Sequence, residues 1–183
     1  MFPIDTTLFL WLNATPDSPE WMLKLAMFAS GQLPGLIVAG TFGALVVAER
    51  DVRRDIWRML LAMAMAWVLA RLDQHLLSMP RAFALELGKQ WTPHGDSAGF
   101  PSTHASVAFA FGSAVAVSSR RSIGALLAFA AAGLIAWSRV YLGLHFPSDL
   151  VAGLFVGLIC ALVSKVLLRP NWIAQGAYHA RAR

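Results

Sequence analysis

Five long apolar stretches constrain the fold of this chain more than any other feature of its sequence. A helix needs about 20 mainly apolar residues to cross the roughly 30 Å hydrocarbon core of a membrane, because each residue rises about 1.5 Å. Residues 21–48, 56–77, 102–119, 123–137 and 147–168 reach or approach this length. We therefore predict an all-α polytopic membrane helix bundle with about five transmembrane helices, forming a single domain over residues 1–183.

The composition also favours a membrane environment. Apolar residues make up 57% of the chain and charged residues only 14%, against roughly 25% charged in average soluble proteins. So few charges cannot cover a water-exposed surface, which excludes a large soluble enzyme and a disordered chain. The single cysteine, Cys160, excludes a disulfide scaffold and is predicted to be a small core residue. The net charge of +5 is not arranged as a basic stripe between exposed aromatic residues, so we predict membrane lipids and no nucleic acid as partners.

The two ends and the basic residues predict an orientation. Residues 1–13 are apolar but too short to span a membrane, which favours a short interfacial helix with Asp5 as its N-cap, and residues 170–183 predict a short polar tail. Cytoplasmic connections carry an excess of Lys and Arg. Ten of the 15 basic residues lie after the first stretch, after the third stretch and in the tail: Arg50, Arg53, Arg54, Arg58, Arg120, Arg121, Lys165, Arg169, Arg181 and Arg183. Five spans then place the N-terminus outside and the C-terminus in the cytoplasm.

Two connections on the predicted outer side carry most of the chain's remaining polar residues. The first, residues 78–101, includes Lys89, His94 and Asp96, and the second runs from position 138 to position 149. Pro147 suits the first turn of a helix, which brings the Asp149 carboxylate close to the imidazole of His145. A histidine oriented by a carboxylate is typical of an activated nucleophile. The alternative is that Asp149 only complements the helix dipole.

Other residues of these connections suit an oxyanion. Pro101 predicts a helix start at which Ser102 and Thr103 supply hydroxyl and N–H groups, and helix N-termini favour anions. Arg81 and Arg139 carry forked donors that match phosphate oxygens, although either is also compatible with a membrane anchor.

A second histidine completes the predicted chemistry. His104 lies one turn into an apolar helix, where an ionisable group favours a functional interpretation, and with His145 it forms an acid and base pair. Metal binding by His104, His145 and Asp149 is the alternative. The chain lacks a fuller carboxylate or cysteine set, so we predict no metal and no other cofactor.

These residues resemble the three signatures of the type 2 phosphatidic acid phosphatase superfamily: Lys-x6-Arg-Pro, Pro-Ser-Gly-His and Ser-Arg-x5-His-x3-Asp. The third is complete as Ser138, Arg139, His145 and Asp149, and the second appears as Pro101-Ser102-Thr103-His104, with Thr103 in the glycine position. The first is degenerate. Arg81 matches its arginine, Ala82 replaces its proline, Gln74 stands where lysine is expected, and Arg71 and Lys89 are candidate substitutes for the missing charge.

Residues 13–22 and 136–145 are, in addition, similar to bacterial undecaprenyl-diphosphatases of the BcrC type. This resemblance implies an inner-membrane enzyme whose active site on the outer face hydrolyses a polyprenyl diphosphate lipid, undecaprenyl diphosphate, through a phosphohistidine and without a metal. It implies that His145 is the nucleophile, Asp149 its orienting carboxylate and His104 the general acid. The implied phosphate-binding residues are Arg81, Ser102, Thr103 and Arg139, with support from Ser138, Arg71, Lys89 and Gln74.

Several alternatives stay open from the sequence. One is a phosphatase or phosphotransferase that acts on another lipid phosphate, such as phosphatidic acid or phosphatidylglycerol phosphate. A haloperoxidase shares the family's anion site, but those enzymes are soluble. A small transporter or flippase also places ionisable groups in a membrane, yet this chain has no internal repeat and its polar groups gather at one interface. A structural subunit does not explain that one-sided distribution.

Overall fold

The computed structural model describes residues 3–77, 79–93, 98–118 and 122–169, without the side chain of residue 51. The sequence predictions that involve Ser78, His94, Asp96, Arg120, Arg121 and the tail over residues 170–183 lie outside this part of the chain. Within it, the regular elements are one short 3-10 helix, Phe83–Leu85, and seven α-helices: α1 Pro3–Leu12, α2 Glu20–Gly31, α3 Leu33–Val47, α4 Arg50–Leu77, α5 Thr103–Ser118, α6 Ser122–Tyr141 and α7 Pro147–Leu167. The all-α prediction is confirmed for the described residues.

Helix α5 lies at the centre of the bundle, where it packs against α4, α6 and α7. Small residues form much of this contact, including a buried cluster made of Ala62, Ala66, Ala110, Ala114, Cys160 and Ala161. Small side chains let helix backbones approach closely, which is how helices associate in a membrane where no hydrophobic effect drives them together. Cys160 is fully buried in this cluster, as predicted.

Two glycines set the distance between α5 and α7. A Cβ atom on Gly157 would lie 2.5 Å from the backbone nitrogen of Ala110, and one on Gly153 would lie 3.0 Å from that of Ser106. The helices are therefore as close as the absence of a side chain permits. At the N-terminal ends of the two helices the N–H of Ser102 donates to the carbonyl oxygen of Asp149 over 3.2 Å, so the same contact fixes the starts of both helices.

The sequence predicts a single helix over the first apolar stretch, but in the structure this stretch is not one continuous helix. It is divided into α2 and α3, which meet at Gln32 with a bend of 43°. The physical cause is Pro34 in the first turn of α3, because proline has no N–H and its ring clashes with the carbonyl oxygen four residues earlier.

Helices α4 and α6 extend beyond the predicted boundaries, whereas α5 and α7 lie within theirs. Helix α6 reaches Tyr141 and so includes Ser138 and Arg139, and α4 begins at Arg50 instead of residue 56. By length and composition, α6 and α7 are able to cross a membrane, and the bent pair α2 and α3 is a third span if it is counted as one. The chain is a membrane protein, while the count of five spans stays a prediction.

The N-terminal helix α1 exposes apolar side chains on one face and docks on the bundle with the other. Trp11 is 80% exposed, whereas Phe9 is fully buried and its ring centroid lies 5.2 Å from that of Phe146. The predicted N-cap role of Asp5 in α1 is wrong, because Asp5 lies inside the first turn of α1. Its carboxylate instead accepts hydrogen bonds from the N–H and the hydroxyl of Ser148, 2.9 and 2.6 Å away, and so caps α7.

The close contact of α5 and α7 makes a prediction about two glycines. We expect Gly157→Ala to destabilise the protein by about 1–3 kcal/mol, since the added methyl group meets backbone atoms that cannot move independently. Gly133→Ala, in α6, is the matched control, because no atom lies within 4 Å of its Cβ position. Thermal unfolding in detergent measures the stability of both variants. Equal melting temperatures for the two variants would contradict the proposed tight contact.

Candidate active site

The two polar connections, after α4 and after α6, are joined by the N-terminal segment. The side-chain amide of Asn13 donates to the carbonyl oxygens of Lys89 and Tyr141, over 3.0 and 3.1 Å, and its oxygen accepts from the N–H of Lys89. One residue therefore fastens the connection after α4 to the end of α6. This contact brings together the two segments from which the sequence predicts a site.

A polar cavity of about 270 Å³ lies where these segments meet α4 and α5. Six of its lining residues are candidates from the sequence, and the seventh was not predicted. The lining consists of Trp67, Arg71, Gln74, Arg81, Thr103, His104 and His145. Trp67 was missed because a tryptophan within a span resembles a packing residue; the available signal is that positions 67, 71 and 74 share one face of a helix.

A tight turn after α6 positions the backbone of His145. Gly143 has a φ of +78°, which disfavours any residue with a Cβ atom, and a Cβ there would collide with the carbonyl oxygen of Lys89. The N–H groups of Leu144 and His145 both donate to the carbonyl oxygen of Arg139, over 2.9 and 3.2 Å. This C-terminal capping arrangement ends α6 and directs the chain into α7.

The His145 imidazole is held from both sides. Its Nδ1 lies 3.1 Å from Oδ2 of Asp149, and its Nε2 lies 2.9 Å from Nη1 of Arg81. A guanidinium group only donates hydrogen bonds, so Nε2 must be the acceptor. The contacts therefore select the neutral tautomer, which donates its Nδ1 proton to Asp149 and accepts from Arg81 at Nε2, and His145 also lines the polar cavity. His145 is 1% exposed.

Asp149 belongs to the first turn of α7 and makes two contacts with one oxygen. Besides meeting His145, its Oδ2 accepts a 3.0 Å hydrogen bond from the N–H of Phe146, the N-cap residue of α7. The sequence left open whether this carboxylate orients His145 or only complements the helix. In the structure it contacts both the imidazole of His145 and the N–H of Phe146 at the start of α7.

Arg81 is buried in the loop that follows α4. Its guanidinium also donates to the carbonyl oxygens of Leu144 and Ala98, over 3.4 and 3.3 Å. Burial holds the pKa of Arg81 below its ordinary value, the charge of Asp149 raises it, and the charge of Arg71 lowers it. Arginine stays protonated in proteins even so, and Arg81 presents a fixed positive charge beside Nε2 of His145.

The first turn of α5 supplies the opposite wall of the site. Thr103 and His104 both line the polar cavity, so the two predicted catalytic imidazoles face one compartment. The hydroxyl of Thr103 accepts a 2.9 Å hydrogen bond from Nε2 of Gln74, which also donates to the carbonyl oxygen of Pro101 over 2.9 Å. Gln74 thereby connects α4 to the start of α5.

Arg139, a predicted phosphate-binding residue, does not line this cavity. It is 3% exposed, and its Nη1 donates to the hydroxyl of Ser30 at the end of α2. Its Nε and Nη2 are buried and make no hydrogen bond within the described residues. A buried guanidinium with unsatisfied donors is costly unless an anion approaches it.

Besides Asp149, which contacts His145, three other candidates also lie outside the cavity lining. The hydroxyl of Ser102 accepts from the N–H of Ala105, as a helix N-cap does, so α5 starts at Thr103 and its cap residue is Ser102. The hydroxyl of Ser138 donates to the carbonyl oxygen of Ile135 over 2.7 Å. The ammonium group of Lys89 lies 4.1 Å from the centre of the Trp91 ring.

Two apolar cavities adjoin the polar one. The first, of about 200 Å³, is lined from α3, α4, α5 and α6 and shares Trp67, Thr103 and His104 with the polar cavity. The second, of about 220 Å³, also includes Trp67 and is otherwise lined by apolar residues of α3, α4 and α5. Across the residues that the structure describes, no three His, Cys, Asp or Glu side chains form a group able to hold a metal ion.

Comparison with known proteins finds a matching family model and a similar bacterial protein. A family model described as the PAP2 superfamily matches residues 55–173. The chain is 33% identical over 177 residues to "Putative undecaprenyl-diphosphatase YbjG" of Escherichia coli (strain K12), in an alignment that covers 94% of this chain and 85% of that protein.

Two crystal structures share the fold. LpxE of Aquifex aeolicus superposes with a TM-score of 0.74 at 23% identity, covering 89% of this chain and 95% of that one. A transmembrane PAP2 type phosphatidylglycerolphosphate phosphatase from Bacillus subtilis superposes with a TM-score of 0.67 at 21% identity, covering 90% and 84%.

The contacts of His145 predict its tautomer, which nitrogen NMR of labelled histidine measures. We expect the neutral ring to carry its proton on Nδ1 in the unaltered protein. In Asp149→Asn the side-chain amide can donate to Nδ1, which removes the preference for that tautomer. Asp17→Asn, in an exposed loop, is the control and leaves the spectrum unchanged. A proton on Nε2 of His145 in the unaltered protein would contradict the assignment.

Proposed function

The chain belongs to the PAP2 superfamily, and from that premise we propose that it is a lipid phosphatase that hydrolyses undecaprenyl diphosphate to undecaprenyl phosphate and phosphate. The observation that carries the proposal is the tautomer of His145, whose Nε2 accepts a hydrogen bond from the guanidinium of Arg81 where both residues line the polar cavity. A fixed lone pair next to a fixed positive charge is suited to attack on a bound phosphoryl group.

The first chemical step is transfer of the terminal phosphoryl group to His145. When substrate binds, the Arg81 N–H that contacts Nε2 in this structure donates instead to a phosphoryl oxygen. The lone pair of Nε2 is then free to attack. Nε2 then forms a bond to the terminal phosphorus while the bond from that phosphorus to the bridging oxygen breaks. The positive charge of Arg81 and the N-terminus of α5 at Ser102 and Thr103 stabilise the negative charge on the equatorial oxygens.

His104 serves both chemical steps. As a general acid it gives its proton to the bridging oxygen, which leaves with the lipid as undecaprenyl phosphate. As a general base it then takes a proton from water, whose oxygen attacks the phosphohistidine and releases inorganic phosphate. The support for this role is that His104 lines the same cavity as His145.

Arg139 completes the proposed phosphate-binding set. Its two buried, unsatisfied donor nitrogens have the chemistry that a phosphate oxygen satisfies, and Arg139 lies within electrostatic range of Arg81. Ser138 supports it as part of the capped end of α6, where its hydroxyl bonds to the helix backbone. Lys89 supports it from the outer loop that Asn13 fastens to the end of α6.

The choice of lipid rests on the alignment with the undecaprenyl-diphosphatase relative and on the apolar cavities beside the site, which suit an isoprenoid tail. The uneven distribution of basic residues supports an inner-membrane protein with its N-terminus outside, its C-terminus in the cytoplasm and its active site on the outer face. In this proposal residues 1–183 form one phosphatase domain.

Phosphate release from purified protein tests the proposal. We expect His145→Gln to abolish release from undecaprenyl diphosphate and His104→Ala to lower it by about 10²–10⁴-fold, the usual contribution of a general acid. His75→Gln, at an exposed position of α4, is the matched control and keeps the original rate.

The same assay tests substrate and cofactor. Undecaprenyl diphosphate should be hydrolysed faster than phosphatidic acid or phosphatidylglycerol phosphate, and a chelator should leave the rate unchanged. Full activity in folded His145→Gln protein would overturn the mechanism. Preference for one of the other two lipids would overturn the substrate assignment.

A further inference from the structure

Two of the three departures from the family signatures contact one another. Gln74 occupies the position where the signature has lysine, and Thr103 occupies the position where it has glycine, and they share a 2.9 Å hydrogen bond. Gln74 is 6% exposed, its side-chain nitrogen also donates to the carbonyl oxygen of Pro101, and its side-chain oxygen accepts from Arg71. Gln74 therefore positions the start of α5 and brings no charge to the cavity.

The positive charge on the α4 side of the polar cavity comes from Arg71, which lies one turn before Gln74 on α4. Its Nη1 lies 3.4 Å from Oε1 of Gln74, and no carboxylate of the described residues lies within ion-pair distance of it. Its charge acts on Arg81 across the site. Two cations that face one cavity repel each other, and this repulsion is relieved by a ligand with several negative charges.

The order of residues along α4 gives Arg71 a specific place in the site. Residues 60, 63, 64 and 67 line the apolar cavities, and residues 67, 71 and 74 line the polar one. Arg71 is therefore the polar residue of α4 next to the boundary marked by Trp67. A lipid with its tail in the apolar cavities and its terminal phosphorus at His145 has its lipid-linked phosphate between these two points, beside Arg71.

We propose that Arg71 binds the lipid-linked phosphate of a diphosphate substrate and so makes the site selective for lipid diphosphates over lipid monophosphates. The proposal rests on the proposed function, because it takes the terminal phosphate to lie at His145. A monophosphate bound for reaction occupies only the end of the cavity at Arg81, where Arg71 has no phosphate to bind. Arg71 is thus a specificity-determining residue.

Direct binding of two inert ligands with the same tail tests this proposal without any need for turnover. The ligands are farnesyl methylenediphosphonate and farnesyl phosphonate, and titration calorimetry in detergent measures their affinities. We expect Arg71→Gln to weaken the diphosphonate about tenfold or more, as loss of a charge-assisted contact does, and the phosphonate less than twofold.

Two further variants make the result specific. Arg71→Lys keeps the charge and should restore most of the preference for the diphosphonate. Arg54→Gln, at an exposed position of the same helix outside the cavity lining, should change neither affinity. Equal weakening of both ligands in Arg71→Gln, or no weakening, would overturn the proposal. So would equal affinities in the unaltered protein, whereas absence of phosphate release from undecaprenyl diphosphate would count against the proposed function alone.

Discussion

The buried imidazole of His145, held between a carboxylate and a guanidinium, is the interaction on which the rest of the site depends. Asp149 accepts a hydrogen bond from Nδ1, and Arg81 donates one to Nε2. Because Arg81 has only donors, the ring keeps one tautomer and one orientation. The three groups come from the turn after α6, the start of α7 and the loop after α4, so three separate segments must be positioned with hydrogen-bond accuracy.

The fold achieves this accuracy mainly by fixing the start of α7. Gly157 lets α7 approach α5 closely, the N–H of Ser102 donates to the backbone carbonyl oxygen of Asp149, and the carboxylate of Asp5 accepts from the N–H of Ser148. Helix α1 is thereby part of the support for Asp149, four residues from His145. Rigid backbone contacts of this kind are what hold a reactive group ready before substrate binds.

The predictable part of the site is the part that depends on neighbours in the sequence. Asp149 follows His145 by four residues, and Pro147 starts the helix between them, so the spacing alone predicts their contact correctly. The bend between α2 and α3 was missed because the apolar stretch is continuous through Pro34. Trp67 was missed, and the choice between Arg71 and Lys89 stayed open, because each depends on how α4 packs against distant segments, which no local pattern encodes.

The most direct test of the central claim is detection of a phosphoryl group on His145. His104→Ala protein is mixed with undecaprenyl diphosphate that carries radioactive phosphorus in its terminal phosphate, and the protein is then denatured in alkali and digested. The account predicts one labelled histidine, His145, and no label when His145 is also replaced by glutamine. Label on another residue, or phosphate release from an enzyme that never carries label, would contradict it.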